Sequence, residues 1–412
     1  MLAYFVFAYF LLLFLYIVKK RGIDISACII GLYMISTLGS IYLLKNDEEY
    51  MEKDPTFIPT LIYCSMITLV VYPFYKFNSN KVRRMPRVND RWFNILSWTL
   101  ILGFIFAVIL FKDDIVLRLA MGDEIGQLRG RATRELGSAQ DNLSGPLRII
   151  SNVFMTMISM SAVAFILFFY SITYLHKKII FNALLFLSTL GCMVASIVGI
   201  DRSVFFYWII YFIFIYVMFR PYLSSKVKAV TLIVGGVMLG AVIAYMALIT
   251  LSRFKDNAFE SIASYSGQSY LNFCWFWDHY EAPICNWGLF FPILSHFFGI
   301  DWGAPVGAVS FGWFVETKVG YFVNLFYTFM GTIMLYLGQW AVIPYCICYT
   351  VVTNKVLNNR KKAFGVQSFI RVFIFAIIPY SGVIAYAYND YIRATGAIVM
   401  LFFCSLLRKR KS

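Results

Sequence analysis

Runs of about 20 apolar residues recur from one end of this chain to the other, each long enough to cross a bilayer. The first, LAYFVFAYFLLLFLYIV at 2–18, contains no Asp, Glu, Lys, Arg or His. Backbone amides in hydrocarbon must bond within their own segment or around a closed barrel. The runs are continuous rather than alternating, which argues against a barrel and for helices. Spans are predicted at 2–18, 23–44, 58–75, 92–111, 149–171, 179–198, 204–219, 229–250, 322–345, 369–388 and 392–407. The predicted fold is therefore all-α: one polytopic membrane domain over 1–412 with about eleven (10–12) transmembrane helices. Charged residues make up 14% of the chain, roughly half of what a soluble protein carries. Segment 2–18 lacks a basic leading region and a small-residue cleavage site, so it reads as a retained span rather than a signal peptide.

The formal net charge is +15, and its placement separates a membrane reading from a nucleic-acid one. Alternate loops collect most of the 36 basic residues: Lys19–Arg21, Lys76–Arg91, Lys177 and Lys178, Arg220–Lys228, Lys355–Arg371 and Arg408–Lys411. Of the 21 acids, that side holds only Asp24 and Asp90. The positive-inside rule then places the N-terminus outside and the C-terminus in the cytoplasm. The basic excess reads as a topology signal and a contact for lipid headgroups, with no nucleic-acid partner.

Two outer loops hold the polar mass, 112–148 and 251–321. Loops of that length are usually functional or disordered. The second contains IASYSGQSYLNFCWFW, too apolar for a solvated linker. It is expected to form interfacial or re-entrant helices, which need protein or a wet cavity to satisfy their amides. Cys274 and Cys285 fall together in this loop and form either a disulfide or two separate thiols. Inner loops are short and basic and carry no phosphate-cradling glycine motif. No metal-ligand spacing is present, and no cofactor is expected. Span interiors contain no Asp, Glu, Lys, Arg or His, whereas ion-coupled transporters place such groups at mid-membrane. Chemistry at the outer membrane–water boundary fits this pattern better.

Candidate site residues follow from that depth. The turn GIDRS at 199–203 holds Asp201 and Arg202 between two spans. A guanidinium at the interface can make paired hydrogen bonds to a phosphate, and Asp201 can orient it; the plain alternative is an arginine snorkelling to ordinary lipid. Arg253, in ITLSRFKD, sits at the outer end of another span. Arg131 lies in RGRATR, a glycine-flanked segment able to wrap an anion or to stay a solvated loop. His279 and His296 in the large loop are candidate general bases. Trp275 and Trp277 nearby offer faces for a sugar ring or form an interfacial belt.

Four stretches together resemble the O-antigen polymerase family, the Wzy-type oligosaccharide repeat-unit polymerases. They are IVGIDRSVFFYWIIYF, ITLSRFKDNAF, SYSGQSYLNFCWFW and NLFYTFMGTIMLYLGQWA. Where the family has Gly-Arg-Gly, this chain has Asp-Arg-Ser. Where it often has an acid before the second glycine, this chain has Leu337. The resemblance implies a metal-independent glycosyltransferase on the outer face of a bacterial inner membrane. It would join polyprenyl-pyrophosphate (undecaprenyl-pyrophosphate) linked repeat units into O-antigen, capsule or exopolysaccharide. Arg202, Arg253 and Arg131 would meet the pyrophosphate, His279 or His296 would act as base, and a chain-length regulator protein would be a partner. A ligase moving finished glycan from the same lipid, and a flippase of the lipid-linked sugar, are the alternatives. The topology has a direct test. Alkaline phosphatase fused within 112–148 should be active and a fusion after Ser412 inactive, with the reverse pattern for a cytoplasmic reporter. The opposite assignment would overturn the orientation.

Overall fold

The computed structural model describes residues 1–77, 87–120, 160–194, 203–254, 258–279, 328–357, 365–383, 386–388 and 391–407, with isolated positions between 291 and 317. The described residues are helical and include no strand. In chain order the helices are α1 Leu2–Arg21, α2 Ile25–Asn46, α3 Glu48–Met51, α4 Phe57–Phe77, α5 Asp90–Leu110, α6 Lys112–Ala120, α7 Ser161–Tyr170, α8 Ile179–Leu187, α9 Ser203–Phe219 and α10 Ser225–Phe254. They continue as α11 Ala258–His279, α12 Thr328–Leu337, α13 Val342–Leu357, α14 Val366–Ser381 and α15 Tyr391–Leu406.

Five described helical segments are long and apolar enough to cross a membrane: Leu2–Arg21, Ile25–Asn46, Phe57–Phe77, Asp90–Leu110 and Gln339–Leu357. Large apolar side chains such as Leu12, Leu61 and Ile109 stand exposed on them, as a lipid-facing surface requires. These features mark an all-helical membrane protein. The predicted span 322–345 is not a single helix. α12 ends at Gly338, whose φ of 95° is a conformation glycine adopts without strain. The long apolar stretch starts only beyond it, at Gln339.

The described residues fall into two compact units. The first contains residues 1–82, 259–362 and 371–395. Here α1 and α2 form a hairpin. Asp24 caps α2, accepting from Ala27 N at 3.0 Å and Ser26 Oγ at 2.6 Å, which satisfies donors that a helix start leaves orphaned. Tyr9 and Thr68 join α1 to α4 at 2.8 Å. Thr350 of α13 donates to Leu69 O of α4 at 3.1 Å. At one end of the unit the Arg21 guanidinium lies 3.8 Å from the Tyr75 ring centroid and donates to the Tyr75 carbonyl.

α11 is held in this first unit by backbone proximity. Ser36 Oγ donates to Ser266 O at 2.7 Å, and Ser40 Oγ donates to Gly267 O at 2.5 Å. Between these bonds Gly39 of α2 faces Gly267 of α11. A Cβ on Gly39 would meet Gly267 Cα and N at 3.0 Å, and one on Gly267 would meet Gly39 O and Ser40 N at 2.5 Å. Small residues and hydroxyls joining helices in this way are the usual device where lipid removes the hydrophobic drive for association.

The second unit, residues 83–258, 363–370 and 396–412, packs by aromatic volume. Phe165 and Phe169 of α7 meet Trp208 and Phe212 of α9, with Phe165–Trp208 centroids 5.4 Å apart. Phe219 stacks on Phe369 at 4.4 Å. Trp208 Nε1 finds a partner in Thr189 Oγ1 at 3.2 Å, as a buried indole N–H must. α7 runs on into a π-helical turn, Ser171–Leu175, stopped by His176 at φ 49°.

Glycine substitutions separate these packing modes. Gly267→Ala should destabilise the protein by about 1–3 kcal/mol through backbone overlap. Gly39→Ala should cost less, since the nearest obstacle, Ser266 Oγ, can rotate away. Gly240→Ala in α10 meets nothing within 4 Å and should be neutral or gain up to about 1 kcal/mol of helix propensity. Thermal unfolding in detergent gives the order, and equal effects at Gly267 and Gly240 would rule out the close contact.

Candidate functional site

α11 turns predicted loop residues into a two-sided helix. At 3.6 residues per turn, Gly267, Tyr270, Cys274 and Asp278 share one stripe. This stripe faces α2 and the start of α4. Tyr270 OH and Thr60 Oγ1 lie 2.8 Å apart, and the Cys274 thiol is 4.0 Å from Thr60 Oγ1. Thr56 Oγ1 donates to Asp278 Oδ2 at 2.7 Å. Cys274 is a buried free thiol, and Cys285 lies outside the described residues.

About a third of a turn around α11 lies a second stripe: Ser264, Gln268, Asn272, Trp275 and His279. The segment 47–56 lies against it. Tyr50 OH donates to Gln268 Oε1 at 2.9 Å, and Ser264 faces the same phenol. Lys53 Nζ lies 4.5 Å from the Tyr50 ring centroid and 6.0 Å from that of Trp275, and it pairs with Glu49 at 2.9 Å. His279 stacks on Trp275, centroids 4.5 Å apart with 15° between planes. Its Nδ1 is 2.9 Å from Trp275 O. A carbonyl only accepts, so Nδ1 carries the proton in that bond and Nε2 is left as the basic nitrogen.

Trp277 points elsewhere. It is buried and packs edge-on against Trp340 at 5.5 Å. With its amide nitrogen turned towards Trp277 O, Gln339 donates there at 2.9 Å, and its oxygen accepts from Trp340 Nε1 at 3.2 Å. The helix break at Gly338 thus ties down the last turn of α11, where helix carbonyls otherwise lack partners.

Of the sequence-predicted residues, Trp275 and His279 come together, and Trp277 sits beside them in a structural junction. Arg253 falls in the last turn of α10, with its side chain outside the described part. Asp201, Arg202, Arg131 and His296 also lie outside the described residues. Sequence reading did not single out Tyr50, Lys53, Thr56, Gln268, Gln339 or Trp340. The 4-4-3-4 spacing from Ser264 to His279 was the available signal for Gln268. Nothing local points to Lys53 or Gln339. Comparison of the chain with protein-family models, with curated proteins and with solved structures finds no match.

Burial, and secondarily the Glu49 carboxylate, push the Tyr50 phenol up from 10.0 to about 12, so it stays a neutral donor at physiological pH. A folded-state pKa above the unfolded value contributes stability that is full below pH 10 and is lost as pH rises towards 12. The stability advantage of the wild type over Tyr50→Phe should therefore be constant at neutral pH and shrink between about pH 10 and 12. Melting curves across that range check it, and a gap independent of pH would refute the upward shift of the buried phenol.

Proposed function

We propose that this protein polymerises polyprenyl-pyrophosphate-linked oligosaccharide repeat units on the outer face of a bacterial inner membrane. The observation that carries the reading is the His279–Trp275 pair, where an indole platform and an imidazole with basic Nε2 share one helix face beside Lys53. The alternating charge pattern assigns segment 47–56 and the end of α11 to the outer side. About eleven spans, an external N-terminus and a cytoplasmic C-terminus complete the proposed topology.

In the proposed reaction the acceptor sugar's hydroxyl oxygen attacks the anomeric carbon of the donor chain. The bond from that carbon to the pyrophosphate oxygen breaks, and the lipid pyrophosphate departs with the electron pair. The hydroxyl proton passes to His279 Nε2, with His296 the other candidate base. Arg202, Arg253 and Arg131 meet the charge developing on the pyrophosphate, which guanidinium groups can do without a metal. Trp275 supports a sugar ring by stacking. Span interiors without Asp, Glu, Lys, Arg or His favour this surface chemistry over a translocation path.

The test is the chain-length ladder of surface polysaccharide. Arg202→Ala should collapse it to single repeats while the protein still inserts. His279→Ala should lower polymer formation by about 10²- to 10⁴-fold if it supplies the base. Accumulation of lipid-linked long chains, rather than single units, would transfer the protein to the ligase class. An unchanged ladder in the Arg202 variant would remove that residue from the mechanism.

A further inference from the structure

Gln268 is 1% exposed, and its side-chain nitrogen has no hydrogen-bond partner, while its oxygen is held by Tyr50. Burying an amide donor without a partner is costly, so it calls for an acceptor that completes the site. It sits on the same face of α11 as Asn272, Trp275 and His279. Seven residues of helix place Gln268 about 10 Å along the axis from Trp275, the reach of a short oligosaccharide.

Ligand chemistry follows from these groups. A carboxamide offers one donor pair and one acceptor, which matches a hydroxyl that both gives and receives a hydrogen bond. The indole offers an apolar face. Neutral hydrogen-bonding groups alternating with an aromatic platform suit a polyhydroxylated ring. Lys53 is turned to Glu49 and to the rings of Tyr50 and Trp275, so its charge is already answered. A stripe led by an amide and an indole selects the sugar portion of a substrate rather than its phosphates.

We infer that Gln268 is the inner hydrogen-bonding residue of a saccharide subsite that runs along α11 to Trp275, and that Tyr50 covers it in the resting state. This rests on the reading of the protein as a repeat-unit polymerase and specifies which part of the substrate the stripe takes. Asp47 caps the short helix α3 that bears Tyr50, accepting from Glu49 N at 3.1 Å. Withdrawal of that turn releases Gln268 Oε1, so that both ends of the amide can meet a sugar hydroxyl. Tyr50 and the sugar compete for Gln268 Oε1, so the two bonds exclude each other.

That competition makes the test directional. The probe is the repeat-unit oligosaccharide released by mild acid from the lipid-linked pool of cells that make it, free of pyrophosphate. It is titrated calorimetrically into the full-length protein in nanodiscs. Gln268→Ala should raise Kd about tenfold. Tyr50→Phe should lower Kd severalfold while slightly lowering the melting temperature. A folding defect would weaken binding in both variants, so the opposite signs distinguish the subsite from a structural role. Unchanged binding in Gln268→Ala, with a lower melting temperature, would show that the amide serves only an internal water and would overturn the inference. Weaker binding in Tyr50→Phe would overturn the covering role. The two readings also fail separately. Gln268-dependent binding alongside a normal ladder in cells lacking the protein would support the subsite and end the polymerase reading. A wild-type protein that does not bind the saccharide, with an Arg202-dependent ladder, would do the reverse.

Discussion

Where Gly39 of α2 meets Gly267 of α11, two helix backbones touch, with only the Ser266 hydroxyl beside them. The hydroxyls of Ser36 and Ser40 reach across to the carbonyls of residues 266 and 267. In lipid, apolar helices gain little from leaving their solvent, so close van der Waals contact and interhelical hydrogen bonds set the arrangement. This contact also fixes the rotation of α11 about its own axis. With Gly267 against α2, the Tyr270–Cys274–Asp278 stripe must face the start of α4. The Gln268–Trp275–His279 stripe must then lie under segment 47–56.

The second unit solves the same problem differently. Its helices are joined by interlocking rings, with Phe165, Phe169, Trp208 and Phe212 at the centre and Phe219 on Phe369. Aromatic pairs add geometric preference to their large contact area. Specificity comes from ring shape, with one indole bond to Thr189. Small residues let α2 and α11 approach in the first unit, which also carries a ring cluster of Phe10, Tyr33, Tyr63 and Tyr270, while rings dominate the contacts described in the second.

At the candidate site, local bonds fix the orientation of the groups. The Trp275 carbonyl selects the His279 tautomer, and Gln339 and Trp340 secure the helix end that carries it. Lys53 is shared between Glu49 and two aromatic rings, which holds the segment 47–56 against α11. The site is thus assembled from three stretches far apart in the chain, each with a bonding reason to be there.

The helical fold was legible in the sequence because it follows from a solvent constraint: long apolar runs must bond their own amides. α1, α2, α4 and α5 match the runs at 2–18, 23–44, 58–75 and 92–111 for that reason. The break at Gly338 was not legible, since apolar content continues smoothly across it and only the backbone angle marks it. Trp275 and His279 were legible as candidates by residue type and depth. Their partners were not, because Lys53, Tyr50 and Gln268 are joined by a helix–helix contact more than 200 residues apart in the chain, and local periodicity holds no information at that range. The sequence by itself determined which segments become helices and which residue types were on offer. The tertiary structure decided which face of α11 meets α2 and the start of α4 and which lies under segment 47–56, because the facing glycines fix the rotation of that helix.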